Sequence, residues 1–201
     1  MGKLFCIMGK SASGKDSLFK QLMEDESLSL HEIVTYTTRP IRAKEVDGRE
    51  YHFVSASRFM EMEAAGKVIE RRTYQTVMGP WHYFTADDGQ IDLSKGSFLQ
   101  IGTLEAYMKL RDYFGTEQVV PLYIEVEDGD RLERAIRRER KQASPNFAEV
   151  CRRFLADAED FSEEKLQAAG INVRFENADR EQCYQMLAGA IRNAEILQGQ
   201  I

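Results

Sequence analysis

The chain has 201 residues, 43% of them hydrophobic and 30% charged, with a formal net charge of −6 at pH 7. That length suits one α/β domain with inserted subdomains, and the acidic balance argues against general nucleic-acid binding, which draws on an excess of Lys and Arg. Cys6, Cys151 and Cys183 stand far apart without metal-ligand spacing, His31, His52 and His82 form no zinc pattern, and no apolar run reaches membrane-spanning length, so the reading is a cytoplasmic protein with reduced, buried thiols and no membrane partner.

In chain order, residues 3–8 form an apolar run that predicts a buried strand rather than a signal peptide. Leu18, Phe19, Leu22 and Met23 recur at helical spacing. Between them, residues 9–17 read GKSASGKDS, a glycine, four residues and then Gly14-Lys15. Strand, glycine loop and helix together make a phosphate-binding loop. Gly9, Lys10, Ser11, Ala12, Ser13 and Gly14 would curl backbone N–H groups around phosphate oxygens, and the helix N-terminus adds partial positive charge. Lys15 would reach the terminal phosphates as a point charge. A hydroxyl for magnesium is expected directly after that lysine, but Asp16 stands there and the hydroxyl falls one place later, at Ser17. A carboxylate is a good ligand for a hard cation and repels phosphate when no metal lies between them. Asp16 and Ser17 are the metal candidates.

Residues 32–38, rich in β-branched side chains, predict a second strand. A charged loop follows, in which Arg39 and Arg42 flank a stretch stiffened by Pro40, an arrangement suited to gripping a phosphate, and residues 51–54 predict a strand. Residues 55–66 predict a short helix, residues 68–74 a strand carrying Glu70, and residues 79–85 an aromatic turn and strand in which Tyr83 and Thr85 suit a pocket for a planar base. Residues 97–101 predict a central strand. Thr103 starts a helix with Leu104, Tyr107, Met108 and Phe114 on its inner face and Gly115 as its stop, and residues 118–126 predict the next strand. Alternating strands and helices imply a parallel sheet covered on both faces. Residues 131–141 form a basic helix with Leu132, Ala135 and Ile136 inward, and residues 144–146 a hinge. The stripe Phe147, Val150, Cys151, Phe154, Leu155, Ala158 and Phe161 is expected to face the core. Residues 171–175 predict a last strand, and a final amphipathic helix carries Cys183, Leu187, Ala190, Ile191 and Ala194.

The order of these parts resembles guanylate kinase and its relatives, from about residue 3 to residue 179. The phosphate loop alone is shared far more widely. The more specific likeness lies in residues 37–54, TTRPIRAKEVDGREYHFV, which look like that family's acceptor signature. The resemblance implies a P-loop kinase fold in one domain: a core of residues 1–34, 97–128 and 171–201, an acceptor-binding subdomain at 35–96, and a helical lid at 129–160. It implies that Arg39, Arg42, Tyr51 and Tyr83 bind the phosphate of GMP, that Glu70 accepts from guanine N1 and N2, and that Thr35 and Thr85 meet the O6 side. Arg153 looks like the lid arginine. Arg134, Arg137 or Arg138 could supply the arginine of the preceding lid helix, with Arg138 carried forward, and Asn177 falls where relatives place an asparagine near adenine.

The implied reaction passes a phosphoryl group from ATP to GMP or dGMP with Mg2+, Lys15, Arg39, Arg138 and Arg153 supplying positive charge. The strand at 97–101 departs from the family, which ends it with two aspartates where this chain has Gln100 and Gly102. One expectation is a swap, in which Asp16 replaces the missing carboxylate at the metal. The alternatives are a P-loop kinase for another nucleoside monophosphate or phosphorylated acceptor, and a catalytically weak nucleotide-binding module. The sequence leaves oligomeric state open.

Overall fold

The computed structural model describes residues 1–76 and 78–196. Its main sheet has the order β2-β7-β1-β8-β9, with β1 Leu4–Met8, β2 Leu30–Glu32, β7 Ser97–Ile101, β8 Val119–Glu125 and β9 Arg174–Glu176. Every pairing in it is parallel. β1 is central and fully buried, which is why residues 3–8 read as a continuous apolar run. Its side chains alternate between two cores. Leu4, Cys6 and Met8 pack with Leu104, Tyr107 and Leu110 of α3 (Leu104–Phe114), and Phe5 and Ile7 pack with Leu18 and Leu22 of α1 (Lys15–Glu24) and Leu187 and Ile191 of α7 (Arg180–Ile196). No helix among the described residues is long and apolar enough to cross a membrane.

A second sheet, ordered β4-β3-β6-β5, comprises β3 Tyr36–Thr37, β4 His52–Phe53, β5 Val68–Thr76 and β6 Gly79–Ala86. The predicted strand at 32–38 is therefore two strands in two sheets. The ladder breaks at Val34, whose N–H donates to Gln90 Oε1 (3.0 Å) instead of to a neighbouring strand. One face of the second sheet closes on a small core in which Phe84 and Ala86 meet Phe59 and Met62 of α2 (Ala56–Ala64). Ser55 caps that helix by accepting from Arg58 N–H. The antiparallel pair β5–β6 slips by one residue between Val68 and Glu70. That bulge sets Glu70 opposite Thr85, Arg72 opposite Tyr83 and Tyr74 opposite Trp81, so alternating residues share the other face of the hairpin.

Two helices stand apart from the sheets, α4 (Asp128–Glu139) and α5 (Phe147–Asp160), and a short α6 (Glu163–Ala168) follows. Asn146 in the predicted hinge caps α5, accepting from Glu149 N–H at 3.1 Å. The expectation that α5 turns its stripe to the core is wrong. The helix has no buried residue, Cys151 is exposed, and Leu155 is 69% exposed. Both faces of the main sheet are already covered, so only Phe161 beyond the helix end joins a core. Met108, expected on the inner face of α3, is likewise exposed, and the last strand begins at Arg174, three residues later than predicted.

Gly102, where β7 ends, has no room for a side chain, because a β-carbon there would lie 2.8 Å from Cys6 Sγ. Gly102→Ala is expected to cost about 1–3 kcal/mol through overpacking, seen as a lower midpoint in urea, and Cys6→Ala in the same chain should recover most of the loss. An unchanged midpoint in the single variant would show that β1 and β7 yield easily.

Candidate active site

The loop between β1 and α1 is shaped by its glycines. Gly14 has φ 87°, in the left-handed region, and a β-carbon on it would lie 2.5 Å from Asn177 Nδ2; one on Gly9 would lie 2.6 Å from the Ile124 carbonyl oxygen. Ala12 also has a left-handed φ, 63°, a conformation that costs a β-carbon-bearing residue about 1 kcal/mol. The N-terminus of α1 has no side-chain cap, so its first donors remain available. Lys15, half-buried, makes no hydrogen bond or ion pair among the described residues. Asn177, expected near adenine, has its amide committed to the loop: Nδ2 donates to the Ser13 carbonyl (2.7 Å) while its own N–H donates to the Glu125 carbonyl (2.8 Å).

The helices α4 and α5 meet the same loop. Asp157 Oδ2 accepts from Ser11 N–H (2.8 Å) and from Arg131 Nη1 (3.1 Å). Arg131 also donates twice to Asp128 Oδ1, and its guanidinium lies 4.1 Å from the centroid of the Phe154 ring. Only 1% exposed, it is the inward residue that the sequence reading missed within a run of basic residues. Arg138 and Arg153 line a groove of about 440 Å3 that reaches Ser11. Arg153 is paired with Glu149 at 2.7 Å. Arg134 donates to the Asn177 carbonyl, which leaves it in a holding role, while Arg137 and Arg138 are exposed.

A larger cavity, about 600 Å3, opens between α1, the end of β7 and the hairpin β5–β6. Of the predicted residues, Asp16, Thr35, Tyr51 and Tyr83 line it, joined by Arg72, Tyr74, Trp81 and Gln100. Glu70 and Thr85 are buried and do not line it; they join it through Gln100, whose Nε2 donates to Thr85 Oγ1 (3.4 Å), while the Thr85 hydroxyl donates to Glu70 Oε1 at 2.8 Å. Burial raises the Glu70 pKa, and the nearby Arg72 works against that rise. Arg39 is not free in the cavity. Its guanidinium donates to both Glu45 oxygens at 2.9 Å and its Nε donates to Tyr83 Oη at 3.1 Å. Arg42 is exposed and gives its backbone N–H to Glu45. The Arg39 hydrogen bonds hold the Glu45 pKa down to about 2.

A guanylate kinase family model matches residues 1–193. The chain belongs to the guanylate kinase family. Among relatives, it is 29% identical to a guanylate kinase of Paraburkholderia xenovorans, across 96% of this chain and 81% of that protein. It is 42% identical to one from Rhodopseudomonas palustris over a segment of 69 residues, 34% of this chain and 31% of that protein. The crystal structure of guanylate kinase from Anaplasma phagocytophilum has the same fold, with a TM-score of 0.62 at 20% identity over 96% of this chain and 85% of that one.

Within this guanylate kinase family chain, the metal candidates fare differently. Asp16 faces the large cavity and Ser17, though exposed, does not line it. No group of three or more His, Cys, Asp or Glu side chains gathers as a cage among the described residues. One exposed carboxylate still suits magnesium, which keeps several waters and takes one or two carboxylates together with substrate phosphates. Arg72 and Trp81 have no counterpart among the predicted ligands. The alternation of β5 beyond Glu70 was the signal that could have found Arg72.

Two outcomes are expected. Ala12→Gly relieves the left-handed strain, and despite the extra freedom glycine gains in the unfolded chain it should raise the melting temperature by about 1–4 °C; a lower one would show that the alanine methyl packs favourably. The folded pKa of Glu45 lies below the ordinary 4.5. Its contribution is therefore present above pH 4.5 and lost as pH falls through about 2. Melting curves across that window should drop more steeply for the wild type than for Glu45→Gln, and parallel slopes would remove the ion pair from the acid response.

Proposed function

We propose that the protein transfers the terminal phosphoryl group of ATP to GMP or dGMP, giving ADP and the corresponding diphosphate. The observation that carries this reading is the opposition of two parts: a phosphate loop with an uncommitted Lys15, and a cavity beside it, edged by Asp16, to which the buried carboxylate of Glu70 is joined through Thr85 and the lining residue Gln100. ATP would lie on the loop, its phosphates held by backbone N–H groups, the start of α1 and Lys15. GMP would enter the cavity between Tyr51 and Tyr83 with its base toward Glu70. Adenine lacks the N1–H and N2 amino donors, so it would leave that carboxylate facing an acceptor.

Phosphoryl transfer asks the protein for alignment and charge neutralisation rather than covalent chemistry. A GMP phosphate oxygen is already nucleophilic and needs no general base. Lys15 would neutralise charge on the transferring group. Arg138 and Arg153, lining the neighbouring groove, would add to it if α4 and α5 moved over the nucleotide, which also excludes water that would hydrolyse ATP. Arg39, braced by Glu45 and Tyr83, fits the role of orienting the acceptor end through Tyr83. Magnesium, held on the protein side by Asp16, supplies neutralisation of the ATP phosphates when bound.

An assay coupling ADP release to ATP and magnesium tests the reading, with GMP, dGMP, AMP, CMP and UMP offered in turn. Turnover is expected with GMP and dGMP only, and turnover with another acceptor in preference to these would overturn it. In the same assay, Asp16→Ala should lower kcat by at least about tenfold and raise the magnesium concentration giving half-maximal rate. Unchanged kinetics would dispose of the metal role.

A further inference from the structure

We infer that Gln100 reads the acceptor base: its buried side-chain carbonyl accepts a hydrogen bond from an exocyclic amino group of the nucleotide. This rests on the reading of the large cavity as the acceptor site. Gln100 is 2% exposed yet lines that cavity. Its Nε2 donates to Thr85 Oγ1 (3.4 Å), and the Thr85 hydroxyl donates to Glu70 Oε1 (2.8 Å). The direction of this chain is determined. Thr85 has one hydroxyl proton and gives it to a carboxylate, so Thr85 must accept from Gln100, and only the amide nitrogen of Gln100 can donate. The carbonyl is thereby turned away from Thr85, and Gln100 Oε1 is buried without a hydrogen-bond partner.

Glu70 Oε2 is in the same condition, buried and without a hydrogen bond, with Arg72 Nε 3.5 Å away as an ion-pair neighbour. Gln100 in the cavity wall and the carboxylate linked to it thus hold two unspent acceptors joined through one threonine hydroxyl. Orphaned buried acceptors are costly in the free protein, and the ligand that relieves both must bring two adjacent donors. The guanine edge does so with its N1–H and its N2 amino group. Adenine presents an acceptor beside a single amino donor, and hypoxanthine presents N1–H alone. Glu70 takes one donor and the Gln100 carbonyl takes the amino group. Position 102, two residues along, cannot share the task, because a β-carbon on Gly102 would meet Cys6 Sγ at 2.8 Å.

Equilibrium binding and kcat/KM are measured for GMP, IMP and XMP on the full chain, for wild type, Gln100→Met and Gln100→Leu. IMP lacks the amino group, and XMP puts a carbonyl oxygen in its place. The GMP-over-IMP preference is expected to fall at least about tenfold in the variants, the loss of one hydrogen bond to a buried acceptor. A preference kept within about threefold would overturn the assignment. Wild type needs no substitution to be informative. XMP should bind at least about tenfold more weakly than IMP, because its oxygen would oppose Gln100 Oε1, and equal binding of the two would also overturn it. GMP binding without turnover would sink the kinase reading alone, since the binding ratios still decide the role of Gln100. Wild type that binds none of the three overturns both.

Discussion

A loop that offers its backbone donors to a ligand can spend few of them on its own stability, so it is held largely through its carbonyls and its glycines. Here much of that task falls to one buried side chain. Asn177 gives its amide to the Ser13 carbonyl and its backbone N–H to Glu125, at the end of the neighbouring strand β8. The close approach of Gly14 to that amide leaves no space for a β-carbon. The loop, β8 and the residues after β9 are thereby fixed to one another before any nucleotide arrives, which is the preorganisation that electrostatic catalysis requires.

The cavity side of the second sheet obeys a related constraint, expressed through strand register. A single extra residue in β5 aligns Glu70 with Thr85, and from there the pleat carries Arg72, Tyr74, Trp81 and Tyr83 to the same cavity. Removing the bulge would turn Arg72 and Tyr74 of β5 toward the small core of Phe59, Met62 and Phe84. The polar chain from Gln100 through Thr85 to Glu70 then ties the second sheet to the end of β7 in the main sheet. These hydrogen bonds join the two sheets beside the cavity, next to the packing of Ile69 against the main core.

What could be read in the residues was mostly what is local. The phosphate loop declares itself in nine consecutive positions, and the caps at Ser55, Thr103 and Gly115 sit beside the helices they bound. Sheet membership is not local. β-branched residues at 32–38 announce extended chain but not that Val34 turns aside to Gln90 and divides it between two sheets. The period of α5 predicts a helix correctly and says nothing of whether anything covers its apolar stripe. Charge misleads in a similar way. Arg131 lies in a run that reads as solvated, yet a planar guanidinium with two aspartates and a phenyl ring around it can be wholly buried. Arg39 reads as free to grip phosphate, because nothing in its spacing reveals the bidentate partner six residues on.

The contact of Asp157 with Ser11 N–H makes α5 and the loop between β1 and α1 thermodynamically linked. The carboxylate from α5 occupies a donor of the very loop that is read as the seat of polyanionic nucleotide, with Arg131 balancing it from behind. Bringing more negative charge to that loop must alter the free energy of docking α5, and by reciprocity a change in how firmly α5 docks must alter nucleotide affinity by the same factor. Any substitution on α5 that changes how firmly it docks therefore acts on a binding equilibrium it never touches.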